Sequence, residues 1–219
     1  MELSIYFDLD GTLVSQTTDE DAIVPTARSF DLSLSEEQVY VHSLLVGQYF
    51  SRNFPNGIRR ATEVWCEHYD FAIDPAAFTR ELKQEKIRST QPRGDLEDTL
   101  TALCDTASLG ILTNGESDVQ RGKLNKHDLA RFFDPLLISG EMETMKPEDE
   151  IFQSAMEAQP GEYYIYVADK FASDIVPAQE NDFLGVFVAD TPSPAADCTV
   201  SSVSELTLDE LREATRTAD

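Results

Sequence analysis

From about residue 95 onward the chain alternates short apolar runs with helical patterns, and nothing else in the sequence constrains its fold as strongly. A helix is expected at about 95–106, ahead of the run Ser108-Leu109-Gly110-Ile111-Leu112-Thr113. A second at about 117–127 precedes the short run 135–138. Pro147 is placed at the first position of a helix reaching about 158, and the run 163–168 (Tyr-Tyr-Ile-Tyr-Val-Ala) follows. A helix at about 172–181, a strand at 184–188 and a final helix at about 207–216 complete the series. Such alternation requires right-handed crossovers, which build a parallel, doubly wound α/β sheet. Residues 190–198, with Pro192 and Pro194, read as surface loop. The opening run 3–9 (Leu-Ser-Ile-Tyr-Phe-Asp-Leu) belongs with the strands, being short and rich in β-branched and aromatic residues. It ends at Asp8 to Asp10, and Gly11 allows a tight turn after it.

Between about residues 20 and 90 the pattern is helical throughout. The candidates are 21–30, 36–52 with Ser35 as N-cap, 57–69, and a fourth from Asp74-Pro75 to about Ser89, with Asp74 as N-cap and Pro75 at the first helical position. Gln91-Pro92-Arg93-Gly94 then interrupts the pattern. The organisation expected is a Rossmann-like core of residues 1–14 and 92–219, carrying an inserted helical cap of residues 15–91.

Composition excludes several classes. The net charge is −24, and the only lysines are Lys83, Lys86, Lys123, Lys126, Lys146 and Lys170. Such a surface repels nucleic acid and anionic membranes, so neither is expected as a partner. The acid is spread along the whole chain, which suits adaptation to high salt, where counterions screen self-repulsion. A melting temperature that rises from low to molar KCl is the expected outcome, and equal values in both would refute it. No apolar run approaches the roughly 20 residues of a membrane span. Acidic Glu2 replaces the basic start of a secretion signal. Cys66, Cys104 and Cys198 fit neither a zinc pattern nor a disulfide framework and are read as reduced thiols of a cytoplasmic protein, monomeric or homodimeric.

In a doubly wound sheet, ligands sit at the carboxyl ends of the strands. The residues there are Asp8 and Asp10, Thr113-Asn114, and Asp169 with Asp174 five residues on; Lys146 lies just before Pro147. Taken singly, each has an ordinary reading: Asp8 and Asp10 a turn, Thr113-Asn114 a helix cap, Lys146 a solvated lysine, Asp174 a helix residue paired with solvent.

Together they resemble the haloacid dehalogenase (HAD) superfamily in its phosphatase branch with a helical, C1-type cap. Phe7-Asp8-Leu9-Asp10-Gly11-Thr12-Leu13 is similar to the first motif, Leu112-Thr113-Asn114-Gly115 to the second, Lys146-Pro147 followed by Ile151-Phe152 to the third, and Val167-Ala168-Asp169 through Asp174-Ile175 to the fourth. The resemblance covers nearly the whole chain. It implies a Mg²⁺-dependent phosphatase acting on a small-molecule phosphate ester. Asp8 would attack phosphorus, and Asp10 would serve as acid and then base. Thr113 and Lys146, with Asn114, would bind the phosphoryl group. The metal would lie on the Asp8 and Asp169 side chains and the Asp10 carbonyl, with Asp174 directly or through water.

Two positions depart from the pattern. Ala168 stands where glycine is common, and Lys170 follows Asp169, where it could pair with an acid, reach substrate or weaken the metal. A dehalogenase of the superfamily needs neither the second acid nor the metal, so Asp10, Asp169 and Asp174 favour phosphoryl transfer. A phosphonatase needs a cap lysine, and Lys83 and Lys86 stand in no context that identifies one. A sugar phosphomutase would need cap groups for a second phosphate, and a non-catalytic protein of this fold would turn over no ester. For the cap, His42, Tyr49, Arg52, Arg59 and Arg60 are candidates to face the site, against the commoner alternative of bundle surface or bundle core; Trp65 is read as cap core.

Overall fold

The structure is a computed structural model and describes residues 2–218, with the side chains of 216–218 left aside. Six strands form one fully parallel sheet in the order β3-β2-β1-β4-β5-β6. They are β1 (Leu3–Phe7), β2 (Ala107–Thr113), β3 (Leu136–Ile138), β4 (Tyr163–Ala168), β5 (Phe183–Val188) and β6 (Cys198–Val200). The helices are α1 (Asp19–Ser29), α2 (Glu36–Phe50), α3 (Gly57–Tyr69), α4 (Pro75–Arg88), α5 (Glu97–Cys104), α6 (Ser117–Lys126), α7 (Asp149–Ala158), α8 (Val176–Glu180) and α9 (Leu208–Ala218).

β1 is buried along its whole length and lies at the centre, between β2 and β4. Its alternate side chains feed two cores. Leu3, Ile5 and Phe7 join Leu100 of α5, Leu124 of α6 and Leu211 of α9 on one face. Tyr6 joins Ile151 and Phe152 of α7 and Ala178 of α8 on the other. The chain order runs outward from β1 through β2 to β3, then crosses back to β4 on the other side. Asp8 and Asp10 therefore leave the sheet at a topological switch point, where an open α/β sheet forms its crevice.

α1 to α4 carry a separate core built on Ile23, Trp65, Phe78 and Leu82. Local signals start these helices as the sequence suggests. Thr18 with Asp21 and Ser35 with Gln38 form capping boxes, and Asp74 caps α4 ahead of Pro75. The two segments that join this bundle to the sheet run side by side. Ser15 N–H donates to Gln91 O (2.7 Å), and Gln91 N–H donates to Ser15 Oγ (3.0 Å).

Three expectations need correction. Pro147 does not open α7: Glu148 is its N-cap, and Glu148 N–H donates to Met145 O (2.8 Å), closing a turn before the helix starts. The helix expected at 172–181 is split into a π-helical turn, Phe171–Ile175, and the short α8, because Pro177 has no N–H to continue the ladder. The loop expected at 190–198 runs into a sixth strand, since Cys198–Val200 pairs with Val186–Val188.

Candidate active site

A cavity of about 1060 Å³ lies where the carboxyl ends of the strands face the helical bundle. Asp8, Asp10, Thr113, Asn114, Lys146 and Asp174 all line it, whereas Asp169 does not and packs against Gly11. Gly11 has φ +90°, and a Cβ there would come within 2.1 Å of Asp169 Oδ2. Glycine is thus required twice at this position, by the turn and by the packed carboxylate.

Lys146 is the hub of one half of the site. It is 6% exposed, and its Nζ donates to Asp8 Oδ1 (2.9 Å), to Asp174 Oδ1 and to Tyr166 Oη (2.5 Å). Burial alone would lower its pKa, but the Asp8 and Asp174 carboxylates outweigh that and raise it, so it is held as a cation. Tyr166 donates to Leu112 O (2.8 Å), and burial, with Asp174 and Asp8 nearby, pushes its phenol well up. Asp169 is also pushed up, first by burial and then by the Asp8 charge, with Lys170 opposing. Asn114 carries the third motif: its Nδ2 donates to Lys146 O (2.8 Å) and its Oδ1 accepts from Lys146 N–H (2.9 Å). Both ends of that side chain are spent on placing the lysine.

The other half gathers around Asp10. Lys123 Nζ donates to both Asp10 oxygens at 2.7 Å, and Gln120 Nε2 donates to Asp10 Oδ2 at 2.9 Å. Lys123, Gln120 and Tyr166 were not anticipated. They sit inside a helix and a strand, where sequence patterns announce no chemistry; the scarcity of lysine was the one available signal for Lys123. Five of the six lysines, all but Lys126, line this cavity.

None of the five cap candidates lines it. His42 is buried in the bundle against Asp19 and Thr62, Arg59 and Arg60 pair with Glu63 on the surface, Tyr49 packs on Phe54, and Arg52 is exposed. The cap wall comes instead from Val46, Phe50, Asn53, Phe54 and Ile58, with Lys83 and Lys86. Asn53 Nδ2 donates to Ser139 O (3.0 Å) and Met142 O (3.1 Å), and Glu116 accepts from Ile58 N–H (2.8 Å) and Lys83 (2.5 Å), latching cap to core.

This chain belongs to the haloacid dehalogenase-like hydrolase family, whose sequence pattern matches residues 5–186. It has the fold of that family. Among individual relatives, it is 30% identical over 118 residues to the pyrimidine 5'-nucleotidase YjjG of Escherichia coli (strain K12), covering 52% of this chain and 51% of that one. It is 28% identical over 128 residues to the N-acylneuraminate-9-phosphatase of Rattus norvegicus, again 52% of this chain and 51% of the relative. The match thus spans about half the length of these curated relatives. Among the solved structures that share the fold are the following two. The 2-haloacid dehalogenase from Pseudomonas syringae pv. Tomato DC3000 has a TM-score of 0.76 at 19% identity over 100% of both chains. The magnesium-bound HAD-hydrolase YfnB from Bacillus subtilis has a TM-score of 0.70 at 17% identity, over 93% of this chain and 96% of that one.

Among the described residues, no three carboxylate, imidazole or thiol side chains stand together as a preformed metal cluster. The donor chemistry nonetheless suits Mg²⁺: the Asp8 charge helps to push the Asp169 carboxyl up, and a hard divalent cation held by carboxylate oxygens would offset such charge. Asp174 is already engaged by Lys146, and its Oδ2 accepts from Ser173 Oγ (3.0 Å). No helix among the described residues is long and apolar enough to cross a membrane.

Proposed function

We propose that this chain is a Mg²⁺-dependent phosphatase that hydrolyses a small organic phosphate monoester through an aspartyl-phosphate on Asp8. The supporting observation is the pair of carboxylates lining one cavity, each against a lysine: Asp8 with Lys146, which Asp174 shares, and Asp10 with Lys123. One acid can attack while the other handles the proton, a division of labour that halide displacement does not need.

A carboxylate oxygen of Asp8 attacks phosphorus, and the bond from phosphorus to the ester oxygen breaks. Asp10 passes that oxygen, as it leaves, the proton its carboxyl took up in the preceding turnover. Asp10 then takes a proton from water as the water attacks phosphorus and breaks the bond to Asp8, releasing inorganic phosphate. Lys146 offsets the charge on Asp8 and the transferring group, and the Thr113 hydroxyl donates to a phosphoryl oxygen. Bound Mg²⁺, held by the Asp8 and Asp169 side chains and the Asp10 carbonyl, with Asp174 directly or through water, would supply the remaining neutralisation of negative charge. Phe50 and Phe54, each nearly half exposed, give the leaving group an apolar wall. The three free thiols and the acidic surface fit a cytoplasmic protein of a high-salt cell.

The test is hydrolysis of p-nitrophenyl phosphate with Mg²⁺, with EDTA, and by Asp8→Asn, beside halide release from a 2-haloacid. Turnover is expected only for the phosphate ester, only with metal and only with Asp8 intact. Activity that survives EDTA would sink the metal assignment, full activity in Asp8→Asn the nucleophile, and halide release without phosphate release the reaction class.

A further inference from the structure

α6 brings to Asp10 two side chains that the family motifs do not include. Lys123 and Gln120 stand three residues apart on one helical face. Both are buried, at 6% and 2% exposure, so water competes little for their donors. The ammonium of Lys123 has three N–H groups, and each has a partner: the two Asp10 oxygens at 2.7 Å and Gln120 Oε1 at 2.9 Å. Gln120 Nε2 in turn reaches Asp10 Oδ2 at 2.9 Å, Thr113 Oγ1 at 3.1 Å and Asn114 O at 3.2 Å. Gly115 leaves room for this amide, since a Cβ there would stand 2.9 Å from Gln120 Cγ.

Asp10 lies in the turn beyond β1, and its side chain is about one-fifth exposed. A carboxyl so placed can rotate toward solvent unless something fixes it, and proton transfer demands placement within hydrogen-bond reach of the leaving oxygen. We infer that Lys123 and Gln120 are positioning residues that hold the Asp10 carboxyl in register with Thr113, and so with the phosphoryl group that Thr113 would bind. The inference rests on the phosphatase reading above. The ordinary alternative is that the pair merely docks α6 on the core.

Leaving-group dependence separates the two. kcat/KM covers only the steps up to departure of the leaving group, so hydrolysis of the aspartyl-phosphate does not enter it. p-Nitrophenolate leaves without a proton, whereas phenolate and an alkoxide leave badly without one. Wild type, Lys123→Met, Gln120→Met and Asp10→Asn are compared on p-nitrophenyl, phenyl and simple alkyl phosphates with saturating Mg²⁺, each variant first checked by thermal melting. Lys123→Met is expected to lose about 100-fold in kcat/KM on the alkyl ester and less than about threefold on the p-nitrophenyl ester, approaching the pattern of Asp10→Asn. Gln120→Met, which keeps the ion pair, should show the same trend more weakly, and it carries the test if Lys123→Met does not fold. An equal loss on all three esters, or no loss, would overturn the positioning role. Failure of the wild-type protein to turn over any ester would overturn the phosphatase reading beneath it.

Discussion

Two of the buried ionic clusters, one in the cap around Asp19 and one in the core around Lys146, are balanced differently. In the cap, a single acid has its partners around it. Asp19 Oδ2 lies 2.6 Å from His42 Nδ1, His42 Nε2 meets Thr62 Oγ1 at 3.1 Å, and Lys86 Nζ is 3.1 Å from Asp19 Oδ1 without the alignment of a hydrogen bond. Burial alone would raise the Asp19 carboxyl, but His42 and Lys86 outweigh it and hold it at about 2. In the core, Lys146 is shared by Asp8 and Asp174, and Asp169 is pushed up beside them. A matched cluster stabilises the fold. A cluster with more acid than cation stays reactive toward a divalent ion and gives up stability to remain so.

Removing the shared cation should have the largest effect. Lys146→Met leaves two buried carboxylates without their partner, so kcat on p-nitrophenyl phosphate should fall about 100- to 1,000-fold. The melting temperature should fall with it at neutral pH. A variant with full kcat would show that the core cluster is structural, like the one in the cap.

Asp19→Asn is the counterpart. It should destabilise the protein by about 2–4 kcal/mol in urea unfolding, because it leaves the buried partners of the acid unmatched. Its kcat should change far less than that of Lys146→Met. The pH dependence has a definite sign. The Asp19 carboxyl lies at about 2 in the folded chain against an ordinary 3.8, so its contribution is complete above about 3.8 and is lost as pH falls toward 2. Asp19→Asn should remove that part of the acid loss, and an unchanged acid limb would break the contrast between the clusters.

The smallest effect concerns the seam between the two regions. Asn53 has φ +45° and latches the cap to backbone oxygens of the core. Asn53→Gly keeps the backbone compatible and removes the latch, at about 1 kcal/mol. Its effect should be a severalfold rise in KM with urea unfolding of the core unchanged. An unaltered KM would mean that packing and the other contacts across the seam, those of Glu116, Asp118 and Lys126 among them, hold the cap without it.

What could be read from the chain and what could not divide along a physical line. Asp8, Thr113 and Asp169 were legible because each ends an apolar run, and the sheet carries strand ends to one edge whatever the loops do. Lys146 was legible from its place before Pro147, although the turn there delays α7 by two residues. Asn114 was assigned to substrate; it lines the cavity, and its side chain also grips the Lys146 backbone, a partner 32 residues away that no local pattern specifies. The cap candidates went to the commoner alternative, bundle surface or bundle core, for the same reason. Helical spacing predicts a face, but only packing decides whether that face meets the cavity, solvent or the bundle interior, and it placed Lys83 and Lys86 on the cavity and His42 in the interior.

The sequence by itself therefore determined most of the element order, the sixth strand and the split at Pro177 excepted, with the parallel sheet and the carboxylates at its edge, because these follow from local periodicity and from which residues end each run. Tertiary structure alone decided the pairing of charges. It buried Lys123 and Gln120 beneath Asp10, turned Tyr166 onto Lys146 and gave Asp19 its histidine. A buried charge is tolerable only beside a partner, and partners are chosen by distance in space, which a linear pattern does not record.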